Sequence, residues 1–489
     1  MLLRLEDILL LDLVKGLAAL FLCLGVWWYF NLNRMPFSKR VAWISLFFIQ
    51  LSVGLGTYWY QTKKYADSEG GDAAALFLNA SKLLDVKSKS PVDFWWLIGT
   101  GKPKTAVGEL AVMHMEIWSK SNHYGLGNEK QRMVRAAALM LWASGRSYFF
   151  VFWIFAFLSW MGIQGVAMAL RVAFGNAGIN LIWLALLLSP STLLWTALPG
   201  KESILLFGIG SIFWGISKAK SQKGFALTGV LLGIYLLFEF RVFLLLCALP
   251  VLGFFTAVRI WPKKSVGVSV FLGIGIPLIA LFLLQIWAWK HQPSVLRSSY
   301  QTQAEYERKN GESYARQVQQ TGLNILEKLK FKRLDLEVEA RQKNPATGVP
   351  LIPFEGSLTD LMVHSPCYIF RGMTGYEWFG LNWKYWIWGL ERVCFLGAWV
   401  LLLWVFIRAK QPEILLGGML IWTLSLGFLM GILMPVLGNI SRYMAVLHLP
   451  LIGLGIGHAA TYLRLRKFPK KEESRVENTD CEQVNVDKL

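Results

Sequence analysis

Apolar residues occur in long blocks along this chain, broken by short polar connections and by two extended polar segments. A helix needs about 20 mostly apolar residues to cross a bilayer. On that criterion the sequence predicts about eleven spans: Ile8–Phe30, Val41–Tyr60, Tyr148–Leu170, Ile179–Leu198, Ser203–Ile216, Phe225–Glu239, Val242–Val258, Val266–Trp289, Trp386–Ile407, Ile414–Leu437 and Met444–Leu463. The expected fold class is an all-α polytopic membrane protein with two large external loop subdomains. Residues 1–60 hold the first two spans, 61–147 the first loop and 148–289 a six-helix region. Residues 290–385 form the second loop, 386–463 three C-terminal spans, and 464–489 a polar, charge-mixed tail expected to be disordered. No heptad or other fixed-period repeat is evident.

Charge adds an orientation. Alternate connections carry Arg34, Lys39, Arg40, Arg171, Lys218, Lys220, Lys223, Arg259, Lys263, Lys264, Arg408 and Lys410, with no acidic residue until Glu413. The short turns between them hold only Lys201, Arg241 and Arg442 as cations. Basic residues collect on the cytoplasmic side, so the first set is expected inside, the N-terminus outside and the C-terminus cytoplasmic. Glu6, Asp7 and Asp12 and the lack of a small-residue cleavage site argue against a cleaved signal peptide. The formal net charge of +19 is then chiefly a topology signal, because the two loops are nearly balanced, at 12 basic against 8 acidic and 13 against 10. Long Trp, Phe and Leu runs exclude a soluble nucleic-acid binder. Five scattered cysteines indicate neither a disulfide framework nor a zinc cluster. No phosphate-binding or dinucleotide glycine motif is present, which disfavours ATP-driven chemistry.

Ionisable groups within or beside spans are costly and point to function. Here they gather on the expected external side. Asp67, Glu69 and Asp72 lie within six positions around Gly70-Gly71, before a helix expected over Ala73–Leu84. Asp72 near the membrane surface would suit a general base for a sugar hydroxyl; the plain alternative is a helix cap. Pro199-Gly200 precedes Lys201-Glu202 at the start of another helix, where backbone N–H groups and an ammonium favour an anion, or where Lys201 snorkels to head groups. Arg241 stands in Phe238-Glu-Phe-Arg-Val-Phe, and Glu239, two residues away, cannot face it along a helix. Its partner must lie elsewhere in the bundle or be an anionic ligand, the latter being preferred. Arg442, beside Tyr443, can grip a phosphate bidentately or serve as an interfacial anchor. In the second loop, where Tyr300–Lys343 reads as a solvated helix, His364 and Arg371 precede a Trp-rich head-group boundary, and a surface role is preferred for both. His448 and His458 read as packed residues, and His114, Glu116 and His123 make no metal site.

Taken together, Gly71-Asp72-Ala73 just after a span resembles the key-aspartate position of the polyprenyl-phosphate-dependent membrane glycosyltransferases of the GT-C type. Ser189-Pro-Ser, Trp195 and Gly200-Lys-Glu, with Ser365-Pro, Phe370-Arg and Glu377, resemble segments of multi-spanning proteins of bacterial surface-polysaccharide loci. In this chain the aspartate-bearing loop follows the second span, not the first. The resemblance implies an active site on the external face of a bacterial inner membrane. It implies a sugar donor on polyprenyl phosphate or diphosphate, and a glycan or lipid acceptor. Asp72 would be the base, with Lys201, Arg241 and Arg442 on the phosphate. Further substrate or metal contacts would come from Asp67, Glu69, Glu202, Glu239, His364 and Arg371; a divalent cation is compatible but not required. An O-antigen-type polymerase or ligase shares this chemistry, and a lipid-linked glycan transporter would use the same cations without it.

Overall fold

The computed structural model describes residues 10–30, 37–64, 72–113, 115, 129–175, 177–219, 221–260, 358–375, 377, 386–408 and 414–467, with single positions at 333, 336 and 348. Among these there are fifteen helices and no strand. They are α1 (Leu10–Phe30), α2 (Phe37–Lys64), α3 (Asp72–Lys89), α4 (Pro91–Thr100), α5 (Ala106–Met113), α6 (Glu129–Ser144), α7 (Tyr148–Phe174) and α8 (Ala177–Leu187). They continue with α9 (Pro190–Thr196), α10 (Lys201–Lys218), α11 (Lys223–Ile260), α12 (Leu358–Thr374), α13 (Trp386–Arg408), α14 (Ile414–Leu433) and α15 (Leu437–Lys467). The span expected at Val266–Trp289 lies outside the described residues, as do Asp67, Glu69, His114, Glu116, His123 and the tail beyond 467.

Six stretches among the described residues are long and apolar enough to cross a membrane: Arg40–Tyr60, Tyr148–Phe174, Lys223–Ala248, Trp386–Arg408, Leu416–Leu433 and Leu437–Leu463. The chain is therefore a multi-pass membrane protein whose described residues are almost all helical. Burial sorts the six. In an 18-residue window of each, 78% of residues are buried for Leu437–Leu463, 72% for Leu416–Leu433 and 67% for Tyr148–Phe174, against about one third for the other three. The first three make the centre of the bundle, and the others turn most of their apolar surface outward, as lipid-facing helices do.

Small residues set the closest crossings. A Cβ on Gly162 would meet the Leu206 carbonyl at 2.4 Å, and one on Gly165 the Gly210 carbonyl at 2.1 Å. This lets α7 and α10 approach backbone to backbone, where lipid supplies no hydrophobic drive and packing must hold the helices together. The contacts of Gly162 and Gly165 with successive α10 residues make these two helices parallel. Gly208 against Gly233 and Gly215 against Ala226 make the first half of α11 antiparallel to α10.

Two helices are broken, one of them where a continuous span is expected. Ile179–Leu198 is divided into α8 and α9 at Leu188-Ser189, because Pro190 begins α9 and disfavours helical geometry at the residue before it. In α11 the backbone is extended at Arg241, with φ −159° and ψ 75°, dividing the helix between the expected spans Phe225–Glu239 and Val242–Val258.

The starts of α7, α10, α13 and α15 and the break in α11 lie at one end of the bundle, here termed the mouth. Lys15 Nζ reaches the Gly145 carbonyl at 2.9 Å and the Ser147 hydroxyl the Asp12 carbonyl, so the beginning of α1 is there too. Helices α3 to α6, from the 61–147 segment, pack on one another, and α6 contacts α7 and α11. An isolated antiparallel bridge pairs Gly348 with Val436, tying the second loop to the start of α15. Arg171, Lys218 and Arg408 occupy the last turns of their helices, at the far end.

Candidate functional site

The mouth holds a carboxylate shared by two guanidiniums. Glu202 lies in the first turn of α10, where the helix dipole favours a negative charge, and is 2% exposed. Arg241 Nη2 donates to Glu202 Oε1 at 3.0 Å. Arg442 Nε donates to the same oxygen at 2.7 Å and its Nη2 to Oε2 at 3.0 Å, a bidentate pair. The break at Arg241 brings a residue from between two expected spans to a carboxylate 39 positions earlier in sequence. Its guanidinium lies 3.9 Å from the ring centroid of Tyr443 and 5.2 Å from that of Phe243, while that of Arg442 lies 5.4 Å from Trp195. Half-buried Lys201 is the residue before Glu202. The start of α10 is fixed by Ser203, whose hydroxyl donates to the carbonyls of Leu198 at 2.6 Å and Thr196 at 3.0 Å.

The expectations for these residues divide. Arg241 and Arg442 meet at Glu202, and Lys201 is the residue before it. The partner of Arg241 within the bundle is Glu202, whereas an anionic ligand was preferred for it. Glu239 pairs with Arg132 of α6 at 2.7 Å, and the same guanidinium donates to the Glu239 carbonyl, docking the 61–147 segment onto the α11 break. Asp72 is the first residue of α3, which packs on α6. Arg371 is buried, contrary to the surface role expected for it. Its Nε donates to Glu377 Oε1 at 2.6 Å and its Nη1 to the Gly431 carbonyl at 3.2 Å, so it clamps α12 to α14. His364 is half-buried on α12, with its ring 6.1 Å from Tyr368.

A second cluster lies six residues, about 9 Å, further along α15, and sequence reasoning missed it. Glu391 and Arg392 of α13 and His448 of α15 are all at most 3% exposed. His448 Nδ1 is 2.7 Å from Glu391 Oε1, and its Nε2 is 3.3 Å from Arg392 Nη1. Arginine only donates, so Nε2 accepts, Nδ1 carries the proton, and the imidazole is neutral. The hydroxyls of Ser189 and Ser191 donate to the same carboxylate, and the Ser191 N–H donates to Oε2 at 3.3 Å. Ser191 Oγ and Glu391 both face Nδ1, with Arg392 on Nε2. A serine nucleophile needs its base to bond serine and acid through opposite nitrogens, so this cluster is no hydrolytic triad. It holds the broken helix: Thr192 also donates to the Ala445 carbonyl at 2.9 Å. On α9, Ser191 serves the inner cluster and Trp195, one turn on, serves Arg442. The available signal was the Glu391-Arg392 pair within an apolar run.

Outside the spans, Asp93 closes the turn between α4 and α5. The Ser90 hydroxyl accepts from the Asp93 N–H, and Pro91 opens α4. The Asp93 carboxylate accepts from the Thr105 hydroxyl and from the backbone N–H groups of Thr105 at 3.0 Å and Lys104 at 3.3 Å. The bond from the Thr105 hydroxyl, ahead of those from the backbone, holds this carboxyl below the usual aspartate range.

No family model, curated protein or solved structure matches this chain.

Proposed function

We propose that this protein is a membrane glycosyltransferase working at the external face of a bacterial inner membrane, with the mouth outside. It moves a sugar from polyprenyl phosphate or diphosphate to a hydroxyl of a glycan or lipid acceptor. The observation that carries the reading is the meeting of Arg241 and Arg442 at the Glu202 carboxylate, with Lys201 the residue before it. Preplaced cations stabilise a leaving phosphate most where water is scarce, and two guanidiniums already share one carboxylate here. Arg442, with 17% of its side chain exposed, marks the side of approach. Asp72 takes the acceptor proton as the hydroxyl oxygen attacks the anomeric carbon. The bond from that carbon to the phosphate oxygen breaks, and its electron pair leaves with the phosphate. Asp67 and Glu69 would hold a divalent cation if the donor brings one. A polymerase or ligase would use the same groups on a longer acceptor.

The test uses full-length protein in nanodiscs with a panel of undecaprenyl-linked sugars. Asp72→Asn should lower transfer by about 100- to 10,000-fold while leaving the thermal midpoint unchanged. Unchanged turnover sinks the base assignment. Arg241→Lys and Arg442→Lys keep the charge but lose the planar fork, and each should weaken binding of undecaprenyl phosphate. Unchanged affinity in both rejects the phosphate site.

A second reading, translocation of a lipid-linked glycan, is favoured by the broken α8–α9 helix and the buried Glu391, Arg392 and His448, since transporters build sites at broken helices. It predicts flipping of a fluorescent lipid-linked sugar that survives Asp72→Asn.

A further inference from the structure

We propose that helices α4 and α5 of the 61–147 segment form a membrane-surface face, seated in lipid head groups, so that this segment lies on the bilayer instead of projecting from it. Helices α4 and α5 turn large apolar side chains outward as well as inward, with Glu109 the exposed charge on α5. Helix α4 buries Phe94 and Leu97 inward, yet Trp95 and Trp96 on its other side are each 45% exposed. Helix α5 buries Gly108 and Val112, while Leu110 is 62% and Met113 73% exposed. A helix lying on a water-facing subdomain shows mainly polar residues outward; large apolar side chains on both sides call for an apolar surrounding on both.

The chemistry of the outward side selects lipid as that surrounding. Lys104 Nζ sits 5.2 Å from the Trp96 ring centroid, and Lys87 Nζ sits 4.9 Å from that of Trp142, which in turn contacts Trp95 at 5.1 Å. Tryptophans with lysine ammonium groups over their rings match the head-group layer, where aromatic rings and basic side chains sit together between acyl carbon and phosphate. Lys89 and exposed Lys102 extend the basic rim toward anionic phosphates. Chain continuity places the face within reach of the bilayer. Helix α2 contains the candidate span Arg40–Tyr60, and its end at Lys64 is separated from Asp72 by seven residues. Only residues 145–147 separate α6 from the span Tyr148–Phe174. The Arg132–Glu239 pair holds the same segment to the α11 break.

Site-directed spin labelling of the full chain tests this. The five native cysteines are replaced, single cysteines are placed at Leu110→Cys, Met113→Cys and Trp96→Cys, and the protein is reconstituted in phosphatidylethanolamine–phosphatidylglycerol nanodiscs. Asp85→Cys, in an exposed pair with Arg146, is the water-facing control. Collision with oxygen should exceed collision with a water-soluble nickel chelate at 96, 110 and 113, with the reverse at 85. Three positions keep the test intact if one variant fails to fold. Nickel collisions dominating at 110 and 113 would overturn the proposal by placing the face in water. Immobilised labels shielded from both reagents would overturn it by showing a protein partner on the face.

Discussion

Along α15, Arg442 and His448 stand six residues apart and anchor polar clusters that balance charge differently. At the mouth, Glu202 is shared by Arg241 and Arg442, with Lys201 beside it, and Arg442 reaches the surface. Deeper in the bundle, Glu391 takes its hydrogen bonds from a neutral imidazole and two serine hydroxyls. Arg392 beside it has Nε and Nη2 without hydrogen-bond partners among the described residues. The mouth cluster is cation-rich and accessible from one side, which suits an anionic ligand. The inner cluster is sealed and fastens a helix broken by Pro190. Charge inside a membrane protein thus has two uses, and exposure together with partner type separates them.

The largest effect should come from the sealed cluster. Glu391→Gln removes a buried charge whose partners have no water to turn to, and it should destabilise the fold by about 3–5 kcal/mol, read as unfolding in detergent. Glu202→Gln should cost less, about 1.5–3 kcal/mol, the range for hydrogen bonds to charged groups, because Arg442 is partly solvated. The same two variants separate the roles. Affinity for undecaprenyl phosphate should change in Glu202→Gln and stay constant in folded Glu391→Gln. If the order of stability loss is reversed, or binding changes only in the Glu391 variant, the comparison fails.

Next is the crossing that places the mouth. Gly165→Ala puts a methyl 2.1 Å from the Gly210 carbonyl, so α7 and α10 must separate, at about 1–3 kcal/mol for overpacking. Helix α10 carries Glu202, whereas Glu391 and His448 sit on α13 and α15. The variant should therefore weaken phosphate binding at the mouth and leave Glu391→Gln equally destabilising in its background, a double-mutant comparison that detects any coupling between the clusters.

How much of this was legible in the sequence follows from what hydropathy measures. It reports solubility in lipid, so Arg40–Tyr60, Tyr148–Phe174, Trp386–Arg408 and the last two spans were readable. It says nothing about pairing. The carboxylate that holds Arg241 and Arg442 is 39 positions from one and 240 from the other, and only packing joins them. The α8–α9 break was signalled by Pro190 and passed over, because the apolar run continues through it. Glu391-Arg392 was hidden in the same way, by the apolar residues on both sides.

The smallest predicted effect lies where water is nearest. Asp93 extends the series to a third, shallower polar knot, in a turn outside the spans. Its carboxyl titrates lower in the folded protein than in the unfolded chain, because the Thr105 hydroxyl and two backbone N–H groups stabilise the charged form. The sign follows: its contribution is complete above the unfolded aspartate pKa of about 3.9. It declines as pH falls and is lost once pH has passed through the lower folded value. Hydrogen exchange in the α4–α5 turn should therefore quicken as pH is lowered through the acid range, after correction for intrinsic rates. In Asp93→Asn, which cannot titrate, protection should be reduced at neutral pH and show no such acid step. An acid step that persists in Asp93→Asn would assign the pH dependence of this turn to another group.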